Sequence, residues 1–229
     1  MDPVVLNEIS PTLPVEELMK KLHVAAGSEQ EGELRELIRQ GQAVARPRAL
    51  CGVALITERG DDHLVIDGVR FSSRVLAVNL AETHRVFPYL ATCGVEMEVW
   101  AAGLDDILQR YWSEAIREAA MRKAMDAVAG YLEASYGVKQ TSRMNPGSLG
   151  DWPIEEQRPL FRLLGETESL VGVRLTDSLP MVPTKSVSGI RFGSDGGFES
   201  CLLCPRPDCP NRRSPYDPNL YGARYGRTS

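Results

Sequence analysis

The residues from 104 to 136 place the strongest limit on what this chain can fold into. Apolar side chains recur there at three- and four-residue steps, which is the spacing of one face of an α-helix. They are Leu104, Ile107, Leu108, Tyr111, Trp112, Ala115, Ile116, Ala119, Val128, Tyr131 and Leu132. Asp105 and Asp106 suit the start of a helix and Gly137 suits its end. The pattern predicts one long, buried structural helix.

Strand-like segments precede and follow this helix in the sequence. Residues 49–71 read as two strands joined by a tight turn at residues 59–62, and residues 84–94 read as a further strand that runs into Cys93 and Gly94. Residues 169–200 are rich in Val, Gly and Ser, which predicts short strands and turns. The mixture predicts an α+β fold.

Shorter helices are predicted near the N-terminus and after the long helix. Residues 10–27 and 28–47 have helical charge and apolar patterns, and Ser28 with Glu31 predicts a capping box. A short helix is predicted at residues 154–165. No repeat or linker divides the chain. Residues 1–210 are therefore predicted to be one domain, and residues 211–229 a flexible or partner-binding tail, with solvated disorder as the alternative.

Composition excludes some classes of partner. The net charge of −5 argues against nucleic acid or an anionic membrane as the main partner. No apolar run approaches the ~20 residues that a membrane span needs. The N-terminus has no basic region followed by an apolar stretch, so no secretory signal is predicted. We expect a cytoplasmic protein whose thiols are reduced.

Three of the five cysteines, Cys201, Cys204 and Cys209, lie close together near the C-terminus. An odd and uneven set does not resemble a disulfide framework. The Cys-x-x-Cys spacing can place two thiolates on one metal centre, and Cys209 can supply a third. Thiolates select zinc or iron–sulfur clusters among the common metals. The sequence therefore predicts a metal site.

The fourth ligand of such a site is not obvious, because no Cys or His follows Cys209. Cys93 is the preferred candidate, since amides at a helix N-terminus favour a thiolate. His84 is a weaker candidate, and Cys51 reads as a core residue. A 4Fe–4S cluster is preferred to zinc because it tolerates a remote ligand or an open corner. The alternative is a metal that only fixes the C-terminus.

Two motifs between residues 141 and 200 indicate a family. Arg143, Pro146 and Gly147 match an Arg-x-x-Pro-Gly loop. Residues 175–189 match Leu-Thr-Asp-Ser-x-x-Met-x-Pro-x-x-Ser-Val-Ser-Gly. In this order, after a long helix, they resemble the reactivation domain of cobalamin-dependent methionine synthase. The resemblance covers roughly residues 75–200.

The resemblance implies a bent antiparallel sheet and a binding site for S-adenosylmethionine at the loop. The implied binding residues are Arg143, Asn145, Pro146, Gly147 and Ser148. A guanidinium such as that of Arg143 can hold a carboxylate through two parallel hydrogen bonds. In the family, this domain docks over the corrin ring and supports reductive methylation of cob(II)alamin, with the methyl group drawn from S-adenosylmethionine.

Three features depart from the family pattern. The acidic ligand-binding residue of the family's N-terminal part has no counterpart in this sequence, and two tyrosine positions differ. Ser148 and Phe198 stand where the family carries tyrosines. The chain also has no Asp-x-His-x-x-Gly motif for cobalamin. We therefore expect an accessory component, with no assigned catalytic residue, that acts on a corrinoid carried by a partner methionine synthase or methyltransferase subunit.

The cysteines suggest how the electron for this reduction is supplied. They stand where the family has a C-terminal helix, and an iron–sulfur centre can reach the low potential that cob(II)alamin reduction needs. The alternative is a non-catalytic docking subunit of a split methionine synthase, with a structural zinc and an Arg-rich tail that contacts its partner. A third possibility is that the fold binds an unrelated small molecule.

Overall fold

The fold is described from a computed structural model, which covers residues 1–193, 197–209 and 211–226. Its α-helices are α1 (Val15–Lys21), α2 (Glu29–Val44), α3 (Arg74–Asn79), α4 (Val95–Ala102), α5 (Ile107–Tyr136), α6 (Gln157–Leu164) and α7 (Thr167–Val171). Its strands are β1 (Val4–Leu6), β2 (Arg48–Cys51), β3 (Ala54–Arg59), β4 (His63–Ile66), β5 (Val69–Ser72), β6 (Arg85–Thr92), β7 (Thr141–Met144), β8 (Arg174–Leu175), β9 (Met181–Val182) and β10 (Ser186–Gly193).

The long apolar pattern forms α5, as predicted. Asp106 accepts a hydrogen bond from the backbone N–H of Gln109 at 2.8 Å, which caps the start of the helix. Gly137 ends it in the left-handed conformation and donates its N–H to the Glu133 carbonyl. No helix among the described residues is both long enough and apolar enough to cross a membrane.

The sheet is antiparallel and is built around β6. In the described residues, eight strands belong to it, and β6 pairs with β2, β3 and β10. Thr92 of β6 lies opposite Arg48 of β2 and Ser186 of β10, so β6 has neighbours on both edges. Strand β10 also pairs with β7. Strands β8 and β9 form a separate two-stranded ribbon. The predicted α+β class is confirmed.

Helices cover both faces of the sheet because side chains of β6 alternate between two apolar clusters. Phe87 and Tyr89 pack with residues of α5. Val86 and Leu90 point the other way, into a cluster that α3, α6 and α7 complete. A third cluster joins α1, α2 and α4 to the first half of α5. The long helix thus connects the sheet to the helical layer.

Two local predictions differ from the structure. Residues 49–71 form four strands, because β2 stops at Cys51 and because Asp67 and Gly68, both at positive φ, turn β4 into β5. The predicted turn at residues 59–62 is present between β3 and β4. The capping box does not form, since Ser28 donates its hydroxyl to the Ala25 carbonyl at 2.7 Å.

The C-terminal segment packs against α3. Residues Tyr221–Tyr225 form a short π-helical turn, and the Tyr225 side chain is fully buried. The Tyr225 hydroxyl donates to Asn79 Oδ1 at 2.9 Å, and Arg74 donates to the carbonyls of Tyr225 and Gly226. This part of the predicted tail is therefore attached to the domain. Residues 227–229 of that tail lie outside the described residues.

Candidate ligand-binding cleft

The two sequence motifs meet where β7 leaves the sheet. Arg143 of β7 lies opposite Arg191 of β10. The Asn145 side chain, one residue past β7, donates to the Tyr89 hydroxyl and to the Ser188 carbonyl, both at 2.7 Å. The loop that begins at Asn145 is therefore tied to β6 and β10 at once.

Glycine is required at two positions around this loop. A Cβ atom on Gly189 would lie 2.4 Å from the Met144 carbonyl oxygen and 2.5 Å from Asn145 Nδ2. The last glycine of Ser-Val-Ser-Gly therefore makes room for the loop. Gly147 has φ +82° and donates its N–H to the Trp152 carbonyl at 2.8 Å. Only glycine adopts that φ without strain.

A cleft of about 750 Å³ opens between this loop and α5. Its volume lies within the roughly 300–1,000 Å³ of small-molecule sites. Its lining includes Glu118, Met121, Arg122, Met125 and Asp126 of α5, Arg143, Asn145, Pro146, Gly147 and Ser148 of the loop, and Gln157, Ser188, Asn211 and Arg213. All five residues that the resemblance implies as ligand contacts lie on this one cleft. Their binding role stays a prediction.

Two side chains of opposite charge on the cleft lack an ion-pair partner among the described residues, although Asp126 lies near enough to Arg191 for its charge to raise the pKa of that guanidinium. Arg143 and Asp126 make no ion pair or side-chain hydrogen bond within the part of the chain that the structure describes. In contrast, Glu118 contacts Lys21 at 2.7 Å and Arg122 at 2.6 Å. Burial alone would raise the pKa of Glu118, but these two cations outweigh it and lower the pKa. In the part of the chain that the structure describes, the cleft therefore presents Arg143 as a cation and Asp126 as an anion that are not in an ion pair.

A second arginine lies beneath Arg143 on the same face of the sheet. Arg191 is buried, with its guanidinium 5.3 Å from the centre of the Tyr89 ring. It donates to Thr141 Oγ1 at 3.1 Å and to the Met125 carbonyl. Burial lowers its pKa, and the charge of Arg143 lowers it further. An anion bound at Arg143 would offset this repulsion between like charges.

Two more polar groups beside the cleft have unused hydrogen-bonding capacity. The Ser188 hydroxyl and Gln157 Oε1 are buried and have no hydrogen-bond partner among the described residues. Buried polar atoms of this kind are normally paired. Phe198, which stands where the family has a tyrosine, instead packs into the apolar cluster under α6, and its N–H donates to Ser142 Oγ at 2.6 Å.

The predicted metal ligands are not gathered into one group. Within residues 1–193, 197–209 and 211–226, no set of three or more His, Cys, Asp or Glu side chains could hold a metal ion. Cys93 is fully buried in the helical cluster, whereas Cys204 packs against the cluster on the other side of the sheet. Burial raises the pKa of Cys93 to about 12, so it is a protonated thiol at neutral pH. The metal assignment of Cys93, Cys201, Cys204 and Cys209 stays a prediction.

Cys201 has a different environment and lies next to the cleft. Its burial disfavours the thiolate, but backbone N–H groups of Arg213 and Ser214 donate to the sulfur and outweigh this effect, so that its pKa is lowered. The Arg213 N–H lies 3.5 Å from Cys201 Sγ, and Arg213 also lines the cleft. We call residues 199–209 and 211–214 the cysteine loop. This loop borders the cleft.

Comparison with known proteins supports the fold. No family model matches this sequence, and no curated protein matches it. Among solved structures, the crystal structure of the MetH reactivation domain bound to AdoHcy matches with a TM-score of 0.63 at 16% identity, covering 84% of this chain and 78% of that chain. The chain has the fold of the MetH reactivation domain. The resemblance inferred from the two motifs is thus confirmed for the fold, whereas the cysteines are not tested by it.

Sequence reasoning missed several residues of the cleft, among them four polar ones: Asp126, Gln157, Asn211 and Arg213. Asp126 and Gln157 belong to helices whose patterns indicated only packing, and no local motif marks either residue. Asn211 and Arg213 fall in the segment predicted to be a tail. No local signal marks Asp126, because acidic residues beside alanines are common on the solvated faces of helices, and α5 carries Glu118 and Glu133 as well.

Proposed function

We propose that this chain reactivates a corrinoid cofactor carried by a separate methionine synthase or methyltransferase subunit, and that it binds S-adenosylmethionine in the cleft as the methyl donor. The fold it shares with the MetH reactivation domain supports this role. The AdoHcy in that structure is what S-adenosylmethionine becomes after it gives up its methyl group. A cytoplasmic setting, which keeps thiols reduced, is part of the proposal.

The observation that carries the proposal is that Arg143 and Asp126, which carry opposite charges, line the same cleft. The amino-acid end of S-adenosylmethionine has a carboxylate and an ammonium group. Arg143 can hold the carboxylate through two parallel hydrogen bonds, and the underlying charge of Arg191 favours an anion there. Asp126 can accept the ammonium group. The two opposite charges therefore match a zwitterionic ligand.

In this reaction the chain binds and orients the methyl donor, S-adenosylmethionine. One electron converts cob(II)alamin of the partner to cob(I)alamin, which then takes the methyl group of S-adenosylmethionine and leaves S-adenosylhomocysteine. Holding the amino-acid end at Arg143 and Asp126 leaves the sulfonium free to face the partner. Fixing the donor in this way reduces the entropic cost of methyl transfer.

The second part of the proposal concerns the group that supplies the electron. An iron–sulfur cluster at Cys201, Cys204 and Cys209 would supply it, with Cys93 as the predicted fourth ligand. The described thiols do not form a ligand set, so we route no step through such a cluster. Iron, sulfide and zinc measured on an anaerobically purified sample decide this part. Iron with sulfide favours electron delivery, whereas stoichiometric zinc favours the docking-subunit alternative.

Calorimetric titration of the full chain with S-adenosylhomocysteine tests ligand binding. We expect Arg143→Gln and Asp126→Asn each to weaken binding by about tenfold or more, because each removes a charge-assisted contact. Two controls are matched in charge change. Arg70→Gln alters an exposed arginine of β5, and Glu133→Gln alters an exposed acid of α5; both lie away from the cleft lining.

The outcome of the titration is decisive for the proposal. If the wild-type chain does not bind S-adenosylhomocysteine, or if the cleft variants bind as tightly as the controls, this assignment of the cleft is wrong. Anaerobic mixing with a cob(II)alamin-loaded methionine synthase, a strong chemical reductant and S-adenosylmethionine then tests methyl transfer by the change in corrinoid absorbance.

A further inference from the structure

We propose that Arg212, rather than a metal ion, holds the cysteine loop in shape and thereby keeps Asn211 and Arg213 in the wall of the cleft. The sequence predicts a metal at this loop, and the structure shows a different organising group. The role of the loop in ligand binding rests on the proposed function, whereas the role of Arg212 in the loop does not.

The guanidinium of Arg212 donates hydrogen bonds to carbonyl oxygens at both ends of the loop. Its Nη1 donates to the carbonyls of Cys201 and Ser214, each at 3.2 Å. Its Nη2 donates to the carbonyl of Cys204 at 3.2 Å and to that of Arg206. A guanidinium has five N–H donors in a fixed plane and cannot act as an acceptor. One cationic side chain thus joins four carbonyl groups of the loop.

Backbone contacts close the same loop. The Arg212 N–H donates to the Cys209 carbonyl at 3.1 Å, and the Asp217 N–H donates to the Leu202 carbonyl at 2.9 Å. The Arg213 guanidinium contacts Glu199 at 2.6 Å. These hydrogen bonds and this ion pair therefore fasten the segment after residue 211 to the residues around the Cys-x-x-Cys turn.

The loop is also fastened to the cleft. Asn211 Oδ1 accepts a hydrogen bond from Arg122 Nη2 of α5 at 3.0 Å. Asn211 and Arg213, the two neighbours of Arg212, both line the cleft. Because Arg212 is anchored between them, its contacts set the position of both residues relative to α5. Arg212 is accordingly a positioning residue, and Asn211 and Arg213 are the residues that it presents to the ligand.

Hydrogen exchange measured by mass spectrometry on the full chain tests the loop without any ligand. In Arg212→Gln we expect the amides of Arg213 and Asp217 to exchange about tenfold faster, because loss of a charge-assisted network lowers the free energy of local opening. Treatment of the wild type with EDTA and phenanthroline leaves these rates unchanged. Arg206→Gln is the matched control, because its exposed side chain makes no hydrogen bond or ion pair among the described residues while its carbonyl remains.

Two results of the exchange experiment overturn the inference. One is faster exchange of the loop in the chelator-treated wild type, which assigns the organising role to a metal. The other is an unchanged rate in Arg212→Gln. The inference is supported if the loop amides exchange faster in Arg212→Gln, and if neither the chelators nor Arg206→Gln changes their exchange rates.

Titration with S-adenosylhomocysteine tests the link to the cleft. We expect Arg212→Ala and Arg213→Ala both to weaken binding by about tenfold. Added guanidinium ion at low millimolar concentration restores binding to Arg212→Ala, whose missing group it replaces, but not to Arg213→Ala. Wild-type affinity in Arg212→Ala overturns the inference. A wild-type chain that does not bind the ligand but shows the expected exchange pattern refutes the proposed function and leaves the role of Arg212 standing.

Discussion

Replacing Gly189 with alanine tests how the loop is held against the sheet. The added Cβ would lie 2.4 Å from the Met144 carbonyl oxygen, 2.5 Å from Asn145 Nδ2 and 3.1 Å from Tyr89 Cε1. The first of these atoms is backbone and cannot rotate away. The loop must therefore move from β10, and Asn145 must release its two 2.7 Å hydrogen bonds to the Tyr89 hydroxyl and the Ser188 carbonyl.

The magnitude follows from these contacts. Overpacking costs about 1–3 kcal/mol, and each lost hydrogen bond adds about 0.5–1.5 kcal/mol. Alanine in a strand regains roughly 0.5–1 kcal/mol relative to glycine. The expected loss in the free energy of unfolding for Gly189→Ala is therefore about 3 kcal/mol, within a range of about 1–5 kcal/mol, which is a large fraction of the roughly 5–15 kcal/mol of a typical domain.

Urea denaturation measures this loss, as a lower midpoint with an unchanged slope. Gly193→Ala is the matched control on the same strand, because its Cβ would meet only Val138 Cγ1 at 3.7 Å, an ordinary contact. Binding of S-adenosylhomocysteine should weaken in Gly189→Ala and not in Gly193→Ala. Equal midpoints for the two variants would refute the claim that Gly189 makes room for the loop.

Three further predictions concern the thiols and two glycines within helices. At pH 8, we expect iodoacetamide to label Cys201 well before Cys93, because a pKa of about 12 leaves only about one in ten thousand Cys93 thiols ionised; peptide mass spectrometry measures the order, and equal labelling rates would contradict it. Gly41→Ala should lower stability by about 1–2 kcal/mol, since its Cβ would lie 2.8 Å from Ile116 Cγ2. Gly130→Ala, with nothing within 4 Å, should instead raise stability by up to about 1 kcal/mol in the same urea assay.

The elements that could be predicted from sequence are those whose signals are local. Helix α5 starts after Asp106 and ends before Gly137 because an N-cap carboxylate and a left-handed glycine act within one turn. The turn between β3 and β4 has the same local character. The break between β2 and β3 depends on the pairing of both strands with β6, a partner outside the segment, so the pattern of the segment alone did not reveal it. The turn between β4 and β5 at Asp67 and Gly68 is instead a local hairpin signal that the sequence prediction missed.

The residues of the cleft also divide into those marked by a local motif and those brought there by packing. Its loop residues were predictable because Arg143 and Gly147 stand in one short motif. Asp126 and Arg213 reach the cleft only through the packing of α5 and of the C-terminal segment, which no spacing within either segment encodes. The spacing of the cysteines predicted a metal site. The structure shows instead that Arg212, which belongs to no recognisable motif, donates hydrogen bonds to the backbone carbonyls of Cys201 and Cys204.

The pairing of β10 with β6 has a consequence for synthesis on the ribosome. Ser186 lies opposite Thr92 in the sheet, so the edge of β6 that receives β10 stays open while the intervening chain is translated. At about 5–20 residues per second this interval lasts on the order of 5–20 s. An open strand edge attracts unrelated strands. The nascent chain is therefore most exposed to aggregation before its last third emerges, and chaperones that shield strand edges would act in that interval.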